Sequence, residues 1–121
     1  MADTRLLQLV LRLKELTDKG KVDWEETVEE DAFQAAFPEY VVKIRNHRYM
    51  TLPDDISVQI FNGNGVMVES ATGRELEGVA SNSTGLRELM NTLYESARRK
   101  ALGGEKAVSD LLSYFDTLSA R

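Results

Sequence analysis

The sequence predicts an α+β fold in which an N-terminal helix is followed by a four-stranded antiparallel β-meander and two C-terminal helices packed on one face of the sheet. Three observations carry this prediction. Apolar residues recur every three or four positions near both ends of the chain, as in amphipathic helices. They alternate with polar residues in the middle, as in half-buried strands. Short turn sequences join these strand-like segments, which favours antiparallel pairing.

Length and composition predict that residues 1–121 form a single α+β domain. A chain of 121 residues matches the usual size of one domain, about 100–150 residues. Its 42% hydrophobic content is sufficient for one buried core.

The first predicted helix covers residues 4–19 and ends at Gly20, which can adopt the left-handed conformation after a helix. Its apolar face is formed by Leu6, Leu9, Val10, Leu13 and Leu16. Leu7 and Leu11 widen the apolar arc to roughly 220°. One sheet cannot cover so wide an arc, so we expect another helix or a second copy of the protein to bury these two leucines.

Four strands are predicted in the middle of the chain. Residues 32–37 and 40–45 alternate in polarity around a Pro38-Glu39 turn, which indicates a hairpin. The third strand is expected at residues 56–61 and the fourth at 66–70. The Asn-Gly sequence between them, at residues 62–65, predicts a type I′ turn.

The C-terminal third predicts a loop and two helices. Residues 71–82 are rich in Gly, Ser and charge and are expected to form a flexible connection. A helix is predicted from Ser83 or Thr84 to the Gly103-Gly104 pair. Its core face is Leu86, Leu89, Met90, Leu93, Tyr94, Ala97 and Ala101. The last helix, from about Glu105, carries an apolar stripe of Val108, Leu111, Leu112, Phe115 and Leu118.

Composition excludes several chemistries. The chain has no cysteine, so disulfides, thiolate catalysis and Cys-based metal sites are excluded. No apolar run approaches the roughly 20 residues of a membrane span, and no signal-peptide pattern is present at the N-terminus. We therefore expect a cytoplasmic protein that does not bind membranes.

Few residues are suited to catalysis. His47 is the one histidine, too few for the imidazole ligands of a hydrolytic metal site, and it is expected in a loop after a strand. Carboxylate pairs at Asp54-Asp55, Glu25-Glu26 and Glu29-Glu30 leave a carboxylate-metal enzyme as a weaker hypothesis, although adjacent acids on a strand point to opposite faces. We predict no enzyme activity, no catalytic residues, no cofactor and no metal.

The net charge of −5 is concentrated in one segment. Residues 23–31 contain six acids and no base, and Trp24 lies among them. Trp24 either anchors this polar connection on the core or contacts a ligand. The candidate partner-binding residues are Leu7, Leu11, Trp24, Glu25, Glu26, Glu29 and Glu30.

Two basic groups keep a nucleic-acid-associated regulator as the alternative function. The candidate basic patch is Lys43, Arg45, Arg48, Arg98, Arg99 and Lys100. The acidic net charge disfavours a phosphate-backbone binder, and cations at a helix C-terminus are also explained by the helix dipole. Nucleic acid is therefore an unlikely partner.

Four segments form a recognisable combination: residues 20–27 with the pattern G-K-x-x-W-E-x-T, residues 33–35, the turn at 60–65, and residues 93–102 with the pattern A-R-R-x-A. Together with the leucine-rich first helix and the short meander, they resemble a group of small bacterial proteins that have no assigned activity. The resemblance implies a bacterial, cytoplasmic protein and supplies no catalytic residues.

These observations predict a small noncatalytic protein that works by protein–protein binding. The expected partners are a second copy, as a homodimer, and an unidentified protein that recognises the acidic segment. An immunity protein, an antitoxin and an acidic secretion chaperone all fit this size and charge.

Overall fold

The structure is a computed structural model that describes residues 4–48, 54–79 and 85–120. The predicted α+β class is confirmed: within these ranges an N-terminal helix, a five-stranded antiparallel sheet and three further helices follow one another. The helices are α1 (Thr4–Asp18), α2 (Gly73–Val79), α3 (Leu86–Leu102) and α4 (Gly104–Ser119). The strands are β1 (Glu25–Glu26), β2 (Ala32–Phe37), β3 (Tyr40–His47), β4 (Asp55–Asn62) and β5 (Met67–Thr72).

The sheet is a simple meander in which the strands are neighbours in chain order. Because side chains alternate along a strand, one face carries buried residues such as Val42, Ile44 and Val58. The other face is largely polar and carries Lys43, Arg45 and Gln59. α1, α2 and α3 contribute Val10, Leu76, Met90 and Leu93 to the core over the apolar face.

The prediction of four strands is wrong, because β1 adds a fifth at the edge of the sheet. Glu25 pairs with Gln34, and Glu26 pairs with Phe33. Two exposed glutamates show no polarity alternation, so the sequence pattern did not identify them as a strand. A short, charged edge strand also opposes pairing with a strand of another molecule.

Within residues 71–82, which were predicted to form a flexible loop, the structure describes residues 71–79 as the end of β5 and the helix α2. A capping box begins α2: Glu75 N donates to Thr72 Oγ1 and Thr72 N donates to Glu75 Oε1, both at 3.1 Å. Ser83 and Thr84, the expected caps of α3, lie outside the described residues. Gly85 occupies the N-cap position of α3.

The predicted β4–β5 hairpin is present, but its turn is not type I′. A type I′ turn needs positive φ at two central residues, whereas only Gly65 has a positive φ in this turn, at 78°. The Asn62 side chain shapes the turn, since its Oδ1 accepts from Asn64 N at 2.9 Å and from Val66 N at 3.1 Å.

The two predicted C-terminal helices are α3 and α4, and only α3 packs on the sheet. The core face predicted for α3 is largely confirmed, with Leu89 and Ala101 half-buried at its margin. α4 has no buried residue, so the prediction that both helices pack on the sheet is wrong for α4. No helix in the described part of the chain has the length and apolar character needed to span a membrane.

Candidate protein-binding surfaces

The last helix presents an apolar face to solvent. Its five stripe residues, here called the α4 stripe, are Val108, Leu111, Leu112, Phe115 and Leu118, and each is 45–58% exposed. Among the described elements, α3 is the one against which α4 makes a substantial contact. Large exposed apolar patches are uncommon on monomeric proteins and mark interaction sites. The α4 stripe is therefore a candidate contact surface.

A second apolar surface lies between α1 and the sheet. This α1 groove has a volume of about 640 Å³. Its apolar walls include Leu9, Leu16, Phe37, Tyr40, Ile60 and Val68, and charged residues on it are Arg5, Arg12 and Glu69. Leu9 was expected in the core but is 37% exposed, because it stands on the groove side of α1.

Leu7 and Leu11 lie on the opposite side of α1 from Leu9. Leu7 is half-buried and packs against the core, so the chain itself partly covers it. Leu11 is 43% exposed. The wide apolar arc of α1 therefore has two margins, and the margin with Leu9 lines the α1 groove.

Trp24 belongs to the core. Its side chain is 3% exposed, and its Nε1 donates to Thr17 Oγ1 at 3.1 Å. The indole thus anchors the connection between α1 and β1 on the core, which is the first of the two interpretations of this residue. A side chain so buried does not form part of a partner surface.

Glu29 neutralises part of the basic patch. One of its oxygens lies 3.1 Å from Arg45 Nη2, as an ion pair and not an aligned hydrogen bond, and the other lies 3.7 Å from Lys43 Nζ. One acidic candidate and two basic candidates therefore compensate each other. Glu25, Glu26 and Glu30 remain exposed.

Arg48 is compensated in the same way. Its guanidinium donates two hydrogen bonds to the Asp31 carboxylate, at 3.1 and 3.2 Å, and lies 3.6 Å from Asp54. The hydrogen bond from Arg48 lowers the pKa of Asp31, and Asp31 raises the pKa of Arg48. Burial, with a further contribution from Asp31, raises the pKa of Tyr94, whose hydroxyl lies 3.5 Å from Asp31.

The C-terminal basic residues of α3 face two different regions. Arg98 lines a cleft with Arg48 and four acids, whereas Arg99 and Lys100 line another cleft near the end of α1. The four acids are Glu26, Glu29, Glu30 and Asp31. The six basic candidates therefore do not form one continuous positive surface.

His47 lies at the end of β3 and not in the loop expected from the sequence. Its Nε2 is 2.8 Å from the hydroxyl of Ser57, which is buried on β4. Burial keeps this hydroxyl away from a substrate. In the described ranges, no three His, Asp or Glu side chains are arranged to hold a metal ion. The two carboxylates of the Asp54-Asp55 pair lie in different surroundings, since Asp54 is exposed and Asp55 is buried.

No family model, curated protein or solved structure matches this chain.

Sequence reasoning identified the stripe of α4 but missed its exposure, and it missed the α1 groove altogether. The groove combines α1 with residues from β2, β3, β4 and β5 that are far apart in the chain. One signal was present in the sequence: Phe37, Tyr40 and Val68 lie next to turns, where large apolar side chains are hard to bury completely.

Proposed function

We propose that this protein is noncatalytic and acts by binding another protein through the α4 stripe. The observation that carries the proposal is the exposure of five large apolar side chains on one face of a helix. Their spacing matches the i, i+3, i+4 and i+7 anchors of helices that bind in apolar grooves.

The energy available from this surface is substantial. Complete burial of one exposed Val, Leu or Phe side chain contributes about 1.5–3 kcal/mol. Since each stripe residue is about half exposed, covering it recovers about 1 kcal/mol, and the five together offset much of the entropy lost on association.

The role of such a binding protein depends on its partner. Immunity, antitoxin and chaperone functions all fit the proposal. We also propose that the protein works in the cytoplasm, because a chain without cysteine needs no oxidising environment.

The test is capture from a lysate of the source cells with tagged full-length protein. The stripe variant carries Leu111→Glu and Phe115→Glu, and the matched control carries Ser113→Glu and Thr117→Glu on the opposite, polar side of the same helix. Both variants add two acids, so they differ in the face they alter and not in charge.

We expect the wild type and the control to retain the same partner in a defined stoichiometry, and the stripe variant to lose it. Purified partner should then bind the stripe variant at least about 10-fold more weakly, the equivalent of about 1.4 kcal/mol. Equal retention by the stripe variant and the wild type would refute the proposal.

A further inference from the structure

We propose that the α4 stripe of one chain binds in the α1 groove of a second copy, and that the two copies exchange their α4 helices reciprocally. This inference rests on the proposed function, because it names the partner of the same stripe. The two surfaces match in length, polarity and charge.

The two surfaces have similar lengths. Stripe residues 108–118 span about 15 Å along the helix axis, at 1.5 Å per residue. The α1 wall of the groove runs from Arg5 to Leu16, which spans about 16 Å. One surface is convex and the other is concave, so a helix can lie along the groove with the whole stripe covered.

The two surfaces also match in polarity. Leu9 and Phe37 are each 37% exposed in the groove, and Val68 is also exposed. These side chains provide apolar contacts for Leu111 and Phe115 of α4. Docking therefore removes two exposed apolar surfaces from water in one contact, which the hydrophobic effect favours.

Charge favours this arrangement. Arg5 and Arg12 are seven residues apart and therefore lie on the same side of α1, along the groove. Arg12 pairs weakly with Glu15 at 4.0 Å, and Arg5 makes no ion pair with the described residues. Among the described residues that line the groove, Glu69 is the one acid.

The α4 helix carries the opposite charge. It has three acids and one lysine, and this lysine, Lys106, pairs with Asp110 within the helix at 2.8 Å. At about 100° per residue, Glu105 and Asp116 flank the stripe on one side. They can face the two arginines of the groove, which would steer the helix into it.

Reciprocal exchange produces a closed dimer with two identical contacts. Two contacts double the buried area, toward the roughly 1,200–2,000 Å² of stable interfaces. Direct pairing of two α4 stripes would instead leave both grooves exposed. The left-handed φ of 75° at Gly103 sets the direction of α4, so docking in the chain's own groove requires a different backbone conformation at this turn.

The experiment measures mass by sedimentation equilibrium for the full-length wild type, for Leu9→Glu in the groove and for Leu111→Glu in the stripe. Both positions are at least partly exposed, so both variants should fold, and circular dichroism and urea unfolding verify this. Val68→Glu is the second groove variant if Leu9→Glu is unfolded.

We expect the wild type to approach twice the 13.6 kDa chain mass and each variant to remain at 13.6 kDa. A 1:1 mixture of the two variants should form a heterodimer that is weaker than the wild-type dimer, because one of its two contacts joins an intact stripe to an intact groove and the other is lost. Charge reversal tests the same contact. Arg12→Glu should weaken the dimer, and adding Asp116→Arg to the same chain should restore the dimer at least in part.

Three results would overturn the inference. A dimer that survives Leu9→Glu and Val68→Glu but not Leu111→Glu would mean that the stripes pair with each other. A wild type that stays at 13.6 kDa at every concentration would mean that the stripe does not bind a second copy. Stripe-dependent capture of a partner from the lysate would still support the proposed function in that case. A monomer whose α4 amides are protected from hydrogen exchange at every dilution would mean that α4 occupies its own groove.

Discussion

The helices α3 and α4 follow one another with Gly103 between them, have nearly equal lengths and carry similar apolar stripes, yet they differ completely in burial. Leu93 of α3 is 0% exposed, whereas Leu111 of α4 is 52% exposed. The sheet and α1 cover the stripe of α3. An amphipathic pattern therefore predicts that a helix face will be covered, but not whether its own chain covers it.

The largest expected effect is the difference in stability lost when a leucine of α3 or a leucine of α4 is replaced by alanine. Leu93→Ala leaves a cavity in the core and should lower the free energy of unfolding by about 2–5 kcal/mol. Leu111→Ala removes exposed apolar atoms and should change the free energy of unfolding of the monomer by no more than about 0.5 kcal/mol. Urea unfolding over a series of protein concentrations measures both. Similar losses in the dilute monomer would mean that α4 is part of the core.

A smaller effect is expected at the junction between the helices. Gly103 has a φ of 75°, and a Cβ atom there would meet no other atom within 4 Å. The cost of Gly103→Ala is therefore that of the left-handed backbone alone, about 1 kcal/mol. Thermal unfolding measures it.

The matched control for this change is Gly78→Ala in α2. Gly78 has no positive φ and equally open surroundings, so this substitution should stabilise the chain by about 0.4–1 kcal/mol. If both alanines had the same effect, the backbone at Gly103 would not determine where α3 ends.

The smallest expected effect concerns the ion pair between Arg48, which follows β3, and Asp31 in the connection before β2. The pKa of Asp31 is lowered chiefly by the hydrogen bond from Arg48, so this carboxylate contributes stability above its unfolded pKa of about 3.9. That stability is lost as the pH falls through the lower pKa of the folded state. Because the side chain is 38% exposed, the contribution should stay below about 1 kcal/mol.

Asp31→Asn should therefore lower the melting temperature slightly near neutral pH and leave it nearly unchanged in acid. Thermal unfolding between about pH 2 and pH 7 measures the difference. The control is Asp110→Asn, which removes the ion pair with Lys106 on the surface of α4 and should change the melting temperature less. If the melting temperatures of Asp31→Asn and the wild type differed by the same amount at every pH, this electrostatic account would be contradicted.

Local sequence patterns predicted much of the fold because they reflect local physics. The alternation in β3, with Val42 and Ile44 buried, and the spacing in α3 both identified their elements. The helix α2 was missed although Thr72 and Glu75 form a capping box, because the glycines around it favoured a loop. β1 was missed because a two-residue strand has no period.

The candidate site was predicted only in part. The stripe of α4 is visible in the spacing of its leucines, but its exposure depends on where the turn at Gly103 directs the helix. The α1 groove joins Leu9 to Val68 across the fold, and no local pattern reports such a pair. The acidic and basic candidates looked like two surfaces, whereas Glu29 brings Lys43 and Arg45 into one set of ion pairs.

Hydrogen–deuterium exchange tests most directly whether the α4 stripe is a protein-contact surface. Amides of α4 should exchange quickly in a dilute sample and become protected in a concentrated sample or with a captured partner, while α3 exchanges slowly throughout. Exchange of α4 that stays equally fast in all of these samples would contradict the account.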